Sequence, residues 1–208
     1  MKNVVRSLIL ANVAVYVVQL RFPEFMAGNF ALWPLGAGFE PWQLITSAFL
    51  HDTDGLAHIL LNMYGLWMFG RIVEGATGPQ RFLWLYFASV LTAALVQLVA
   101  VSAGDAGTYT VGASGGVFGV LLAFGMLFPH SRVMLIFPPI PMKAWFMVLA
   151  YGTIELVLGV TGTMQGVAHF AHLGGMLGAL VLMLTWRRRL PPAPRDAPKE
   201  LNSGAGAS

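Results

Sequence analysis

Six side chains with chemical potential lie inside apolar runs of this sequence: His58, Asn62, Ser114, Glu155, His169 and His172. Ionisable and strongly polar groups are costly in such surroundings, so they are functional candidates by default. A serine hydroxyl becomes a nucleophile when a base takes its proton, and a histidine can take that proton and return it to a leaving group. Ser114 lies in Gly112-Ala113-Ser114-Gly115-Gly116, at the opening of an apolar run. Backbone N–H groups are unpaired at a helix N-terminus and face an anion there. His58 and Asn62 stand at i and i+4, on one helix face, and add two side-chain donors. Together these groups make an oxyanion hole available for a tetrahedral intermediate.

Two histidines compete for the role of base. His172 aligns with Ala168, Gly175 and Ala179, a small stripe that permits close helix approach. The serine's own run offers a matching stripe in Gly112, Gly115 or Gly116, Gly119 and Ala123. His169 aligns with Leu173, Met176 and Leu180, a bulky face that is lipid-like or loosely packed. His172 is therefore the candidate base, in a Ser–His dyad without the carboxylate orienter of the usual triad. Glu155 could be a third partner or a structural hydrogen-bonding group, and the structural role is preferred. Other chemistries find no support. There is no cysteine, no His-Glu-x-x-His, and no aspartate within the runs. No metal and no cofactor are expected, and the net charge of +3 is not a nucleic-acid patch.

The chain that must position these groups has 208 residues, 57% hydrophobic and 10% charged. Soluble domains are about 25% charged, so a polytopic membrane protein is expected, with the lipid bilayer as its solvent. Six runs, 4–20, 56–72, 82–101, 111–128, 144–160 and 167–186, approach the 17–25 residues of a spanning helix. The stretch 21–55 is too broken by proline and glycine to span and too apolar to be a free loop. It predicts short helices at the membrane interface, anchored by tryptophans. Residues 133–142 are an apolar, proline-broken connector. Residues 1–186 form one membrane domain, and 187–208 read as a disordered cytoplasmic tail.

With the N-terminus placed in the cytoplasm, eleven of the twelve Lys and Arg residues fall on that side and Arg21 alone on the other. Both termini are then cytoplasmic. The second, fourth and sixth runs start at the outer face, which puts His58, Asn62, Ser114 and His172 roughly 3–9 Å below it by helix rise. The site opens to the outer, periplasmic or extracellular side of a plasma membrane. No cleavable leader and no long soluble domain are seen, which predicts a bacterial inner membrane.

Gly112-Ala113-Ser114-Gly115, His58-x-x-x-Asn62 and Ala171-His172-Leu173-Gly174-Gly175, in this order with Glu40-Pro41-Trp42-Gln43 before them, resemble the rhomboid intramembrane serine proteases. The resemblance covers about residues 1–186. It implies an all-α, six-transmembrane-helix bundle with short interfacial helices in the first loop. It further implies Ser114 as nucleophile, His172 as general base, and His58, Asn62 and the Ser114 backbone N–H as the oxyanion hole. An aromatic residue often stacks on the histidine in this family, and Phe118 holds that position. Substrates would be single-span membrane proteins cut in or near the membrane through an acyl-enzyme. The fifth helix and the loop at 161–166 would gate access. Gln43 replaces a common arginine, which leaves the first-loop hydrogen bonding open. A catalytically silent relative that binds or escorts membrane clients is the alternative.

Overall fold

In a bilayer no water satisfies the backbone, so each apolar run closes its hydrogen bonds within itself as helix. The computed structural model describes residues 3–101, 108–134, 140–163 and 167–186 and has this all-α polytopic architecture. Its elements in chain order are α1 (Val4–Arg21), α2 (Pro23–Phe30), α3 (Gln43–Thr46), α4 (Ala57–Gly65), α5 (Arg71–Thr77), α6 (Pro79–Val101), α7 (Ser114–Leu127), β1 (Arg132–Met134), β2 (Pro141–Lys143), α8 (Ala144–Thr161) and α9 (His169–Trp186). Four of them, α1, α6, α8 and α9, are long and apolar enough to cross a membrane, and α7 is a shorter apolar helix. The tail 187–208 and the loop residues 164–166 lie outside the described residues.

Two runs depart from a plain helix. The second is a helical path over 57–77 in which a π-helical turn, Leu66–Gly70, joins α4 to α5. It ends at Gly78, whose φ of 84° is open to glycine. Near that end Glu74 accepts the N–H groups of Val4 and Val5 at 2.8 and 3.1 Å. Its carboxylate thus caps the N-terminus of α1, where the helix dipole favours negative charge. The connector 133–142 contributes strand residues: β1 and β2 pair antiparallel with Val133 opposite Met142. The residues between the two strands lie outside the described set.

The first loop contains the expected short helices, α2 and α3, with a 3-10 turn at Ser47–Phe49. Gln43 is fully buried. Its Oε1 accepts from the Trp33 N–H at 3.1 Å and its Nε2 donates to the Gly38 carbonyl at 3.2 Å. One amide, which both donates and accepts, therefore closes the loop at the position where arginine is common.

The centre of the bundle is α6, α7 and α9. Half of the apolar stretch of α6 and 44% of that of α9 is buried, against 28% for α1 and 22% for α8, which makes α1 and α8 peripheral. Lipid tails are as apolar as leucine, so helix association rests on close van der Waals packing at small residues. Gly175 of α9 lies directly on the Gly115 carbonyl of α7, where a Cβ would collide with backbone. Phe82, Tyr86 and Phe124 fill the space to either side and are fully buried. Replacing Gly175 by alanine is expected to lower unfolding stability by about 1–3 kcal/mol through overpacking. The matched control is Gly75→Ala, a helical site with nothing within 4 Å of the added Cβ. It should be neutral or slightly stabilising. Thermal unfolding of the two variants in detergent compares them.

Candidate active site

Ser114 is the first residue of α7, half-buried, and the segment leading to it is tied to the first loop. Leu32 and Thr110 exchange backbone hydrogen bonds at 2.9 Å, and the Gly112 N–H donates to the Ser47 carbonyl at 3.0 Å. Gly112 has φ of 132°, a conformation that strains other residues. A Cβ on it would lie 2.8 Å from Nε2 of His58. These ties set where the N-terminus of α7, with its unpaired N–H groups, opens.

His172 stands in the first turn of α9 and is buried. Its Nε2 lies 2.8 Å from Ser114 Oγ. On its face the Phe118 ring stacks, with centroids 4.2 Å apart and planes 7° from parallel. The close approach of α7 and α9 at Gly175 makes this short bond possible. On the far side of the ring, Nδ1 is 2.9 Å from Oε2 of Glu155. That approach is close but not aligned as a hydrogen bond, and among the described residues Nδ1 has no other acceptor. The same oxygen meets Nδ1 of His169 at 2.6 Å in an aligned bond.

Two sequence-based expectations change here. A carboxylate does lie level with the serine and histidine. α8 runs opposite to α7 and α9, so a residue two-thirds along it reaches the same layer as residues near their starts. His169 does not face lipid either. It is 6% exposed, because α8 covers it at Gly159, where an added Cβ would meet the His169 Cβ at 3.2 Å. The signal for Glu155 in the sequence was its isolation, a lone carboxylate in an 18-residue apolar helix. Glu155, His169 and His172 also offer three ligand atoms within 4.8 Å of one another, a set that could hold a divalent cation. The separations of 2.6 and 2.9 Å to one carboxylate oxygen are those of N–H groups facing an acceptor.

His58 borders the Ser114 side through Gly112. Its Nδ1 accepts the Asp52 N–H at 3.0 Å, so the neutral ring carries its proton on Nε2, toward Gly112. Asn62 is buried one turn on, and its Nδ2 donates to the His58 carbonyl at 2.9 Å. Among the described residues no hydrogen bond joins Asn62 to Ser114. Next to His58, edge-on at 5.2 Å between ring centroids, lies His51. His51 follows the first-loop stretch in Phe49-Leu50-His51, and the sequence alone assigns it no role. It is 1% exposed and fastened to α1. The Asn12 Oδ1 faces its Nε2 at 3.0 Å, and Gln19 both accepts its N–H at 2.9 Å and donates to its carbonyl at 2.7 Å. A cavity of about 30 Å³ lies beside Ser114, lined by Ser47, Ala48, Ala93, Ala94 and Gly115 among others.

A model of the Rhomboid domain matches residues 38–189. The chain is 32% identical over 183 residues to Rhomboid protein 1, mitochondrial, of Saccharomyces cerevisiae, covering 86% of this chain and 52% of that protein. It is 33% identical over 206 residues to RHOMBOID-like protein 12, mitochondrial, of Arabidopsis thaliana, covering 90% and 58%. It is 30% identical over 161 residues to the human presenilin-associated rhomboid-like protein, mitochondrial, covering 71% and 40%. The chain thus spans about half the length of these curated relatives. Their names overturn the expectation of a bacterial plasma membrane with its cytoplasmic and outer faces, since all three are mitochondrial. The bias of Lys and Arg reports orientation relative to the inserting compartment and carries no information on which membrane it is.

Two outcomes follow from this geometry. Gly112→Ala combines backbone strain with a clash on His58. It is expected to cost about 1–3 kcal/mol of stability and to slow labelling of Ser114 by a fluorophosphonate. The second concerns His51. Burial first, and the adjacent His58 second, push this loop histidine down from 6.5 to about 3. Its Nδ1 is buried without an acceptor among the described residues, so a proton there meets no partner among them. The folded state therefore holds His51 neutral, while the unfolded chain takes up a proton near 6.5. Stability should fall as pH drops below about 6.5 and keep falling toward about 3, by up to ~1.4 kcal/mol per pH unit. Thermal unfolding from pH 8 to 4 measures the slope, and His51→Gln should flatten it.

Proposed function

Since the chain belongs to the rhomboid family, we propose that it is an intramembrane serine endopeptidase that cuts single-span membrane proteins. The observation that carries this reading is the 2.8 Å contact between His172 Nε2 and Ser114 Oγ at the N-terminus of α7. In this reading His172 takes the Oγ proton as Oγ attacks the scissile carbonyl carbon. The carbonyl oxygen becomes an oxyanion, facing the Ser114 N–H and the Nε2–H of His58, with Asn62 as a further donor. The tetrahedral intermediate collapses, His172 passes its proton to the leaving amine, and an acyl-enzyme on Ser114 remains. Water then gives a proton to His172 and attacks the ester carbonyl; as the ester C–O bond breaks, His172 returns that proton to Ser114 Oγ and the new carboxyl terminus is released.

The stacked Phe118 keeps the imidazole plane from turning away between the two proton transfers. The lining of the small cavity supports a preference for small residues at the cut. Ala48, Ala93, Ala94, Gly112, Gly115 and Gly116 are among the residues that line it. The reacting unit is the membrane domain, residues 1–186.

The test is cleavage of a model single-span substrate by the full chain in proteoliposomes, with a fluorophosphonate as active-site label. Ser114→Ala and His172→Ala should each abolish labelling and reduce cleavage to background, a loss of at least about 10³-fold. His169→Ala should leave measurable cleavage. Equal cleavage by wild type and Ser114→Ala would reject the protease reading in favour of a silent, client-binding relative.

A further inference from the structure

The most peripheral helix of the bundle, α8, delivers a buried carboxylate to its centre, and that placement asks for an explanation. Glu155 is 8% exposed, with Oε2 between the Nδ1 atoms of two histidines, at 2.6 Å from His169 and 2.9 Å from His172. An ionised carboxylate only accepts hydrogen bonds. It is satisfied when both imidazoles turn an N–H toward it. For His172 that choice leaves Nε2 without a proton and facing Ser114 Oγ, which is the tautomer a base needs.

We infer that Glu155 is the positioning residue of His172, held in place by His169. The inference rests on the serine-protease reading above. The two histidines do not do the same work. His169 makes the aligned bond, and its Nε2 contacts the Thr163 carbonyl at 3.3 Å, so its ring is held between α8 and the residue just beyond it. That bond anchors the carboxylate. His172 approaches the same oxygen closely but off-axis. It therefore meets an acceptor already in position when it gains the serine proton, and a small turn of the ring converts the contact into a charge-assisted hydrogen bond. Contacts of this kind are often loosely aligned before substrate binds. Phe118 on one face and Glu155 at the ring edge then leave Nε2 one direction to point, toward Ser114.

A purely structural role, a bond pinning α8 to α9, predicts something different. It would show in yield and melting temperature and leave turnover per active site unchanged. The experiment uses the full chain in proteoliposomes, a model single-span substrate, and active sites titrated with a fluorophosphonate. Glu155→Gln is expected to lower kcat per titrated site about 10²-fold with KM within about threefold of wild type. Glu155→Asp keeps the charge but withdraws it by one methylene, and should fall between the two. His169→Gln removes the anchor and should cost about tenfold in kcat, in the range known for outer-shell partners. A kcat per site for Glu155→Gln within twofold of wild type overturns the inference. If Glu155→Gln does not accumulate folded, Glu155→Asp decides, and turnover equal to wild type overturns it. Undiminished cleavage by Ser114→Ala, or a wild type that neither labels nor cleaves, overturns the protease reading itself. Loss confined to the Glu155 variant's melting temperature overturns only the role of Glu155.

Discussion

Gly175 rests on the carbonyl of Gly115, and the arrangement of the site depends on that contact. Helices in lipid gain nothing from burying apolar surface against one another, so their separation is set by how closely the backbones can pack. A side chain at Gly175 would hold α7 and α9 apart, and one at Gly115 would collide with Ala93 of α6. His172 lies one turn before Gly175, and Ser114 next to Gly115. The close approach therefore places their side chains at 2.8 Å with no further adjustment. α6 forms the third wall, and its Ser89 hydroxyl occupies the place that a side chain at Gly119 would need. The small residues act through distance, and the chemistry inherits the distance.

Around this centre, polar side chains are buried but fastened. Asn12 and Gln19 of α1 hold His51, His51 borders His58, and the Asp52 N–H sets the tautomer of His58. Gln43 closes the first loop with one donor and one acceptor. Each of these groups would cost several kcal/mol unpaired in an apolar setting, so pairing them fixes the loop on the helices. The loop in turn holds residues 110–112, and with them the start of α7. The first loop is thus part of the scaffold that positions Ser114, and so is α1 through its hold on His51.

α8 is the exception to this tight construction. It is the least buried of the four long apolar helices, and only a few of its residues enter the interior. One of these is Glu155, which links it to two histidines of α9. A helix so exposed to lipid reaches the site at few points: Glu155 beside the two histidines, Gly159 against His169, and Tyr151 edge-on to Phe118.

The amino-acid sequence by itself determined the class and the inventory. Its low charge and apolar runs require membrane helices, broken stretches mark the first loop, and the small residues beside Ser114 and His172 encode which faces can meet. These are local properties, readable from period and composition. Which groups meet across elements was settled only by tertiary structure. The sequence leaves Glu155 open between a third partner and a structural group, because its helix runs the other way and only packing shows which side chains it meets. Reading His169 from its own stripe misses its burial, because that burial comes from α8. His51 looks like a loop residue until α1 supplies Asn12 and Gln19. The π turn in the second run and the short strand pair after α7 have no period to announce them. A hydrogen bond between elements depends on two orientations at once, and neither is written in one stretch of chain.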